Sequence, residues 1–169
     1  MSALARNSAG REAAIHQVRT RPADPIDRQF VMSLVPRLIA SGLPPWRDPR
    51  KMLAAYSEVI GSILAMSRSG AALLIAEDEH ATPLGFMLLV AATDCYTHER
   101  HGHVAQLALA DPQDVVVGQT LIGAAEAWSR SGGYRLLTIS EFWANHPARA
   151  ICQQLGFTEE AVSYRKTVP

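Results

Sequence analysis

The chain has 169 residues, 48% of them apolar, which suffices for one domain with a sizeable core and argues against two. Its 16 lysines and arginines balance 16 aspartates and glutamates, so no global field draws it to nucleic acid or to an anionic membrane. No run approaches the roughly eighteen apolar residues of a membrane span, and the small, polar, basic segment 1–14 lacks the apolar centre of a secretion signal.

Those exclusions lead to the expectation of a cytoplasmic protein in which Cys95 and Cys152, without metal-ligand spacing, are free thiols. Residues 1–14 read as a flexible leader and 15–169 as a single domain. Ile15 to Thr20 is a first strand, and Arg21-Pro22-Ala23-Asp24-Pro25 is a turn that caps a helix. That helix carries Ile26, Phe30, Leu34 and Leu38 at helical spacing. After the breakers Ser41 to Pro45, a second helix puts Met52, Leu53, Tyr56, Val59, Ile60 and Ile63 on one stripe. Apolar strands at Ala71 to Ala76 and Leu84 to Ala92, joined by Glu77-Asp78-Glu79-His80, predict a hairpin.

The most informative segment follows. A strand over Val104-Ala105-Gln106-Leu107-Ala108-Leu109-Ala110 runs through a turn at Asp111-Pro112 into a helix containing Gly118-Gln119-Thr120-Leu121-Ile122. Val117, Leu121, Ala124 and Trp128 share one face of that helix, which stops before Gly132-Gly133. A strand from Tyr134 to Ser140, a short helix from Pro147 to Leu155 and a final pair around Phe157 and Val162 to Thr167 complete the chain.

In its order of elements and in Gln113, Gly118, Asn145, Ala148 and Gly156-Phe157, this segment resembles the GNAT superfamily of N-acetyltransferases. The resemblance is best from His101 to Phe157 and continues more weakly from His16 to Thr167. It implies an α/β (α+β) fold with a mixed, mostly antiparallel sheet of about seven strands flanked by about four helices. It also implies acetyl-CoA as the acyl-donor cosubstrate. The fourth strand of such a fold splays from the fifth, so Leu107, Ala108 and Leu109 would grip the pantetheine arm. Gln113, Val115, Val116, Val117, Gly118 and Gln119 would meet the pyrophosphate at a helix N-terminus, and Asn145 would complete the cofactor site.

Two positions depart from the family pattern. Val116 stands where a glycine is usual, and a β-branched side chain hinders close backbone approach; no Lys or Arg occurs between Arg100 and Arg130. Within Asn-x-x-Ala-x-x-x-Tyr-x-x-x-Gly-Phe, Cys152 replaces the Tyr whose hydroxyl lies near the cofactor sulfur. Ala148, Cys152 and Leu155 share a helix face, and a thiol that ionises near pH ~8.5, against ~10 for tyrosine, can still protonate a thiolate. A plain packing role for Cys152 remains the alternative.

A base must also deprotonate the incoming amine. Gln106 holds the position where many relatives carry an acid, so Glu141 is the first substitute, followed by Glu99, His101 and His103. The histidine-rich run Thr97 to His103 does not require a metal, and none is expected.

The leading reading is therefore an acetyl-CoA-dependent N-acetyltransferase acting on a primary amine of a small molecule or a protein. The second is a catalytically degenerate domain of the same fold that senses a ligand or binds a protein. Trp46 and Tyr56 are candidates for an acceptor pocket. The acceptor itself is not legible, and a homodimer is among the assemblies the sequence leaves open.

Overall fold

The computed structural model describes residues 17–40, 43–66 and 69–166. The expected leader 1–14, the start of the first expected strand at Ile15 and His16, and Thr167 lie outside the described residues.

Five strands lie in sheet order β1 (Arg19–Pro22), β2 (Ala71–Glu77), β3 (Pro83–Thr93), β4 (Arg100–Leu109) and β5 (Leu137–Ile139). Neighbours pair antiparallel except β4 and β5, which are parallel. Four α-helices accompany them: α1 (Arg28–Leu34), α2 (Pro49–Ala65), α3 (Val115–Ser131) and α4 (His146–Gln154). Both faces of the sheet are covered, which is why β3 reads as an unbroken apolar run and not as an alternating one. Phe86 and Leu88 point to one face, with Leu73, Ile75 and Ala108, and pack on Val31 and Leu34 of α1 and Ile60 of α2. Met87 and Leu89 point to the other face, with Val104, and pack on Val117, Leu121, Ile122 and Ala125 of α3.

The local signals act as physical chemistry requires. Asp24 accepts from the Ile26 amide at 3.2 Å while the Asp27 carboxylate accepts from the Asp24 amide at 2.7 Å, a reciprocal cap before α1. Asp48 caps α2 through the Arg50 amide at 2.9 Å. The β2–β3 turn is built on Asp78, whose carboxylate accepts from the His80 and Thr82 amides. After α4, Gly156 takes φ +88°, a left-handed conformation that glycine adopts without a side-chain clash, and the Phe157 amide reaches back to the Cys152 carbonyl at 3.0 Å.

Several expectations need correction. The sheet has five strands among the described residues, where the family resemblance implied about seven. The expected closing pair does not form within 157–166, where Val162 and Tyr164 are 63% and 92% exposed. The expected fifth strand contracts to Leu137–Ile139, which offers little edge on which a hairpin can extend the sheet. Tyr134 is withdrawn from that strand because its ring packs on Trp128, with the Arg100 guanidinium 5.5 Å from its centroid. Ile26 leaves the expected apolar stripe: it lies in the 3-10 turn before α1, outside the helical register, and is 84% exposed. Val59 also faces solvent on α2.

No helix of the described residues is long and apolar enough to cross a membrane.

Candidate functional site

The parallel pairing of β4 and β5 covers only Gly102 with Leu137, His103 with Thr138 and Val104 with Ile139. Gly102 also lets α3 pack closely on β4, since a Cβ there would lie 2.2 Å from Ser129 Oγ. Beyond Ile139 the chain leaves the sheet while β4 continues to Leu109, so among the described strands residues 106–109 pair with β3 alone. Leu107, Ala108 and Leu109 therefore lie on a strand edge whose backbone groups are available to an extended ligand.

Where that opening begins, β4 bulges. Leu88 pairs with Gln106 and Leu89 with Val104, leaving Ala105 as the extra residue. The bulge shifts the alternation: Val104 and Leu107 both belong to the α3 side, whereas Ala105 and Ala108 belong to the α1–α2 side. Gln106 is 8% exposed, and its Oε1 is buried with no hydrogen-bond partner.

The segment between β5 and α4 supplies the next groups. Asn145 is the N-cap residue of α4, yet its side chain does not cap the helix; its Nδ2 donates to Glu141 Oε2 at 3.0 Å. Glu141 is exposed as a residue, yet burial around its carboxyl lifts it above the ordinary range, with the Asn145 hydrogen bond opposing. Burial also raises the half-buried Cys152 thiol, and the Glu141 charge adds to that rise. The Glu141 charge thus reaches Cys152, which puts two expected catalytic residues in one neighbourhood.

From the opposite side, Arg47 lies 5.7 Å from the centroid of the Phe142 ring, which ties the loop before α2 to the segment after β5. Burial raises the Tyr56 hydroxyl, with the Arg47 charge opposing and the Glu141 charge adding. Tyr56 therefore belongs to this constellation. Trp46 is 55% exposed. Arg47 was not singled out in the sequence, where nothing distinguishes it from the neighbouring Arg50 and Lys51.

The other base candidates separate. Glu99 is exposed in the turn before β4, and His101 and His103 are strand residues of β4 and not loop residues. His103 Nδ1 lies 2.8 Å from Thr138 Oγ1, and burial, aided by the His101 charge, holds the imidazole below its ordinary value. Among the described residues no group of three or more His, Cys, Asp or Glu side chains is placed to hold a metal ion.

At the start of α3, Gln113 and Gln119 are exposed, as are Val115 and Val116, while Val117 and Gly118 are buried. A Cβ on Gly118 would meet only Leu109 Cδ1, at 3.8 Å, so packing does not demand glycine there. The N-cap is Asp114, whose carboxylate accepts from the Val117 amide at 3.1 Å. The sequence did hold a signal for this cap: an Asp directly before a helical apolar run.

No protein-family model matches the chain, and a search of curated proteins finds no matching sequence. Its fold is similar to those of solved acetyltransferases. A GCN5-related N-acetyltransferase from Ralstonia eutropha superposes with a TM-score of 0.65 at 18% identity, covering 89% of this chain and 98% of that one. The aminoglycoside antibiotic 6'-N-acetyltransferase AAC(6')-IG from Acinetobacter haemolyticus gives 0.65 at 18% identity, covering 89% and 99%. AAC(6')-Iy, solved with the bisubstrate analogue CoA-S-monomethyl-acetylneamine, gives 0.64 at 20% identity, covering 90% and 99%. At these identities the likeness establishes the fold, which is that of GNAT-type acetyltransferases, as the sequence resemblance implied.

Proposed function

We propose that this protein is an N-acetyltransferase that uses acetyl-CoA to acetylate a primary amine of a small molecule or a protein. The observation that carries the reading is the departure of β5 from β4 after the Val104–Ile139 pair, which leaves the edge at Ala105 to Leu109 unpaired. An extended pantetheine arm fits such an edge, because its amides can complete the ladder that β5 abandons. Bound there, the cosubstrate would supply an activated acetyl thioester. Glu141, raised by burial, would take the proton of the incoming amine, since a base with an elevated value holds a proton better near neutral pH. Cys152, kept protonated by burial and by Glu141, would return a proton to the leaving thiolate. Structural neighbours that include aminoglycoside N-acetyltransferases support a small amine as acceptor.

The second reading, a degenerate domain that binds without turnover, draws on Asp114, whose carboxylate occupies the helix end where a phosphate would otherwise sit. One experiment separates the two. Purified protein is incubated with acetyl-CoA and a panel of primary amines, and free thiol release and acetylated product are both measured. Amine-dependent release supports the transferase; CoA binding without transfer to any amine supports the second reading; neither outcome in a folded sample removes both.

A further inference from the structure

Resting on the transferase reading above, we propose that this protein recognises its donor through the pantetheine arm and draws little affinity from the diphosphate, so that acyl thioesters of pantetheine serve as donors with or without the nucleotide.

A helix N-terminus binds a diphosphate through free amides and a positive dipole end. In α3 the dipole end already faces a carboxylate, and one of its first-turn amides, that of Val117, is taken. Asp114 Oδ1 accepts from the Val117 amide at 3.1 Å, and the Asp114 carbonyl accepts from the Gly118 amide at 3.2 Å. One step earlier, Asp111 Oδ1 accepts from the Gln113 amide at 2.9 Å, and the Asp111 carbonyl accepts from the Asp114 amide at 3.1 Å. A diphosphate approaching this end meets two side-chain carboxylates. No Lys or Arg lies between Arg100 and Arg130 to offset them, and among the described residues neither Asp111 nor Asp114 is in an ion pair. The exposed Val115 and Val116 add branched apolar surface, which cannot hydrogen-bond to phosphate.

The β4 edge is the contrary case. From Ala105 to Leu109 no described strand pairs on the side that β5 has left. The two halves of one ligand thus meet opposite environments: an unfilled backbone edge for the neutral arm, and a helix end that already carries the chain's own carboxylate for the dianionic diphosphate.

Titration calorimetry with CoA and with pantetheine on the intact protein tests this. Wild type should bind the two with dissociation constants within about threefold of each other, and the CoA constant should stay flat or tighten as salt rises, since salt screens repulsion. Asp114→Asn keeps the cap, because Asn caps as well as Asp, and removes the charge; it should tighten CoA about 5- to 10-fold and leave pantetheine unchanged. Asp114→Gly, a second variant whose cap cost is small, should do the same.

CoA binding more than about 30-fold tighter than pantetheine in wild type, a steep loss of CoA affinity with salt, or an unchanged ratio in both Asp114 variants overturns the proposal. Failure of both ligands to bind removes the transferase reading, and the proposal falls with it. Tight CoA binding without pantetheine binding removes the proposal alone.

Discussion

His103 and Thr138 face each other in the parallel register of β4 and β5, with Nδ1 2.8 Å from Oγ1. The Thr138 hydroxyl also lies 3.5 Å from the Gly102 carbonyl, which can only accept, so the hydroxyl is assigned to donate there and to accept from Nδ1–H. Nε2 is then the basic nitrogen. Burial first, and the His101 charge second, depress the value of His103 below that of the unfolded chain, near ~6.5. The unfolded state therefore takes up a proton before the folded state does. The resulting stability is present above about pH 6.5 and is lost as pH falls through the folded value. His103→Gln should flatten this part of the profile in thermal melts at stepped pH; an unaltered slope would assign it to another group.

A second acid-sensitive contribution lies at β1. Arg21 bonds both Asp27 oxygens, at 2.6 and 2.8 Å, and Glu77 at 2.7 Å, while Arg19 holds the other Glu77 oxygen at 2.8 Å. The two acids are 5% and 3% exposed, so neither can turn to water if Arg21 is lost. Hydrogen bonds from Arg21 are the leading cause that lowers both values, and burial opposes them. Stability from these acids is complete above the ordinary carboxylate range and disappears as pH falls through their lowered values. Arg21→Leu should lower Tm by about 10 °C or more at neutral pH, because it leaves buried Asp27 without an ion pair and Glu77 with Arg19 alone. The deficit should narrow at acid pH; a deficit that is constant with pH would mean that lost packing dominates.

Gln106 offers a substitution in the opposite direction. A buried acceptor without a partner costs about 1–3 kcal/mol, and Oε1 is such an atom. Gln106→Leu, close in volume, should raise Tm of the ligand-free protein by several degrees. A lower Tm would show that a water or another group engages this oxygen in solution.

Cys152 and Glu141 separate by pH–rate measurement. If they exchange protons with the reacting groups, kcat should fall on the acid side at a value above the ordinary carboxylate range, as burial dictates for Glu141, and on the alkaline side as the raised Cys152 thiol ionises. Glu141→Gln should abolish the acid limb, and Cys152→Ala the alkaline one, each with kcat reduced about 10²-fold or more. A Cys152→Ala enzyme with wild-type kcat and a lower Tm would make the residue a packing group.

What the sequence by itself determined is what nearest neighbours along the chain decide. The apolar runs of β2 and β3, the Asp78 turn, the α3 stripe ending at Gly132-Gly133 and the Gly156-Phe157 stop depend on contacts within a few residues, and their periodicities and breakers stand in the sequence. The Asp114 cap is local too, set by an Asp directly before a helical apolar run.

The tertiary structure alone decided the length of β5, the bulge at Ala105, the burial of Gln106, and the meetings of Arg21 with Glu77, His103 with Thr138 and Arg47 with Phe142. Each depends on which distant segment a strand pairs with, and on where that pairing stops. A one-residue bulge reverses the face of every side chain after it without altering the pattern along the chain.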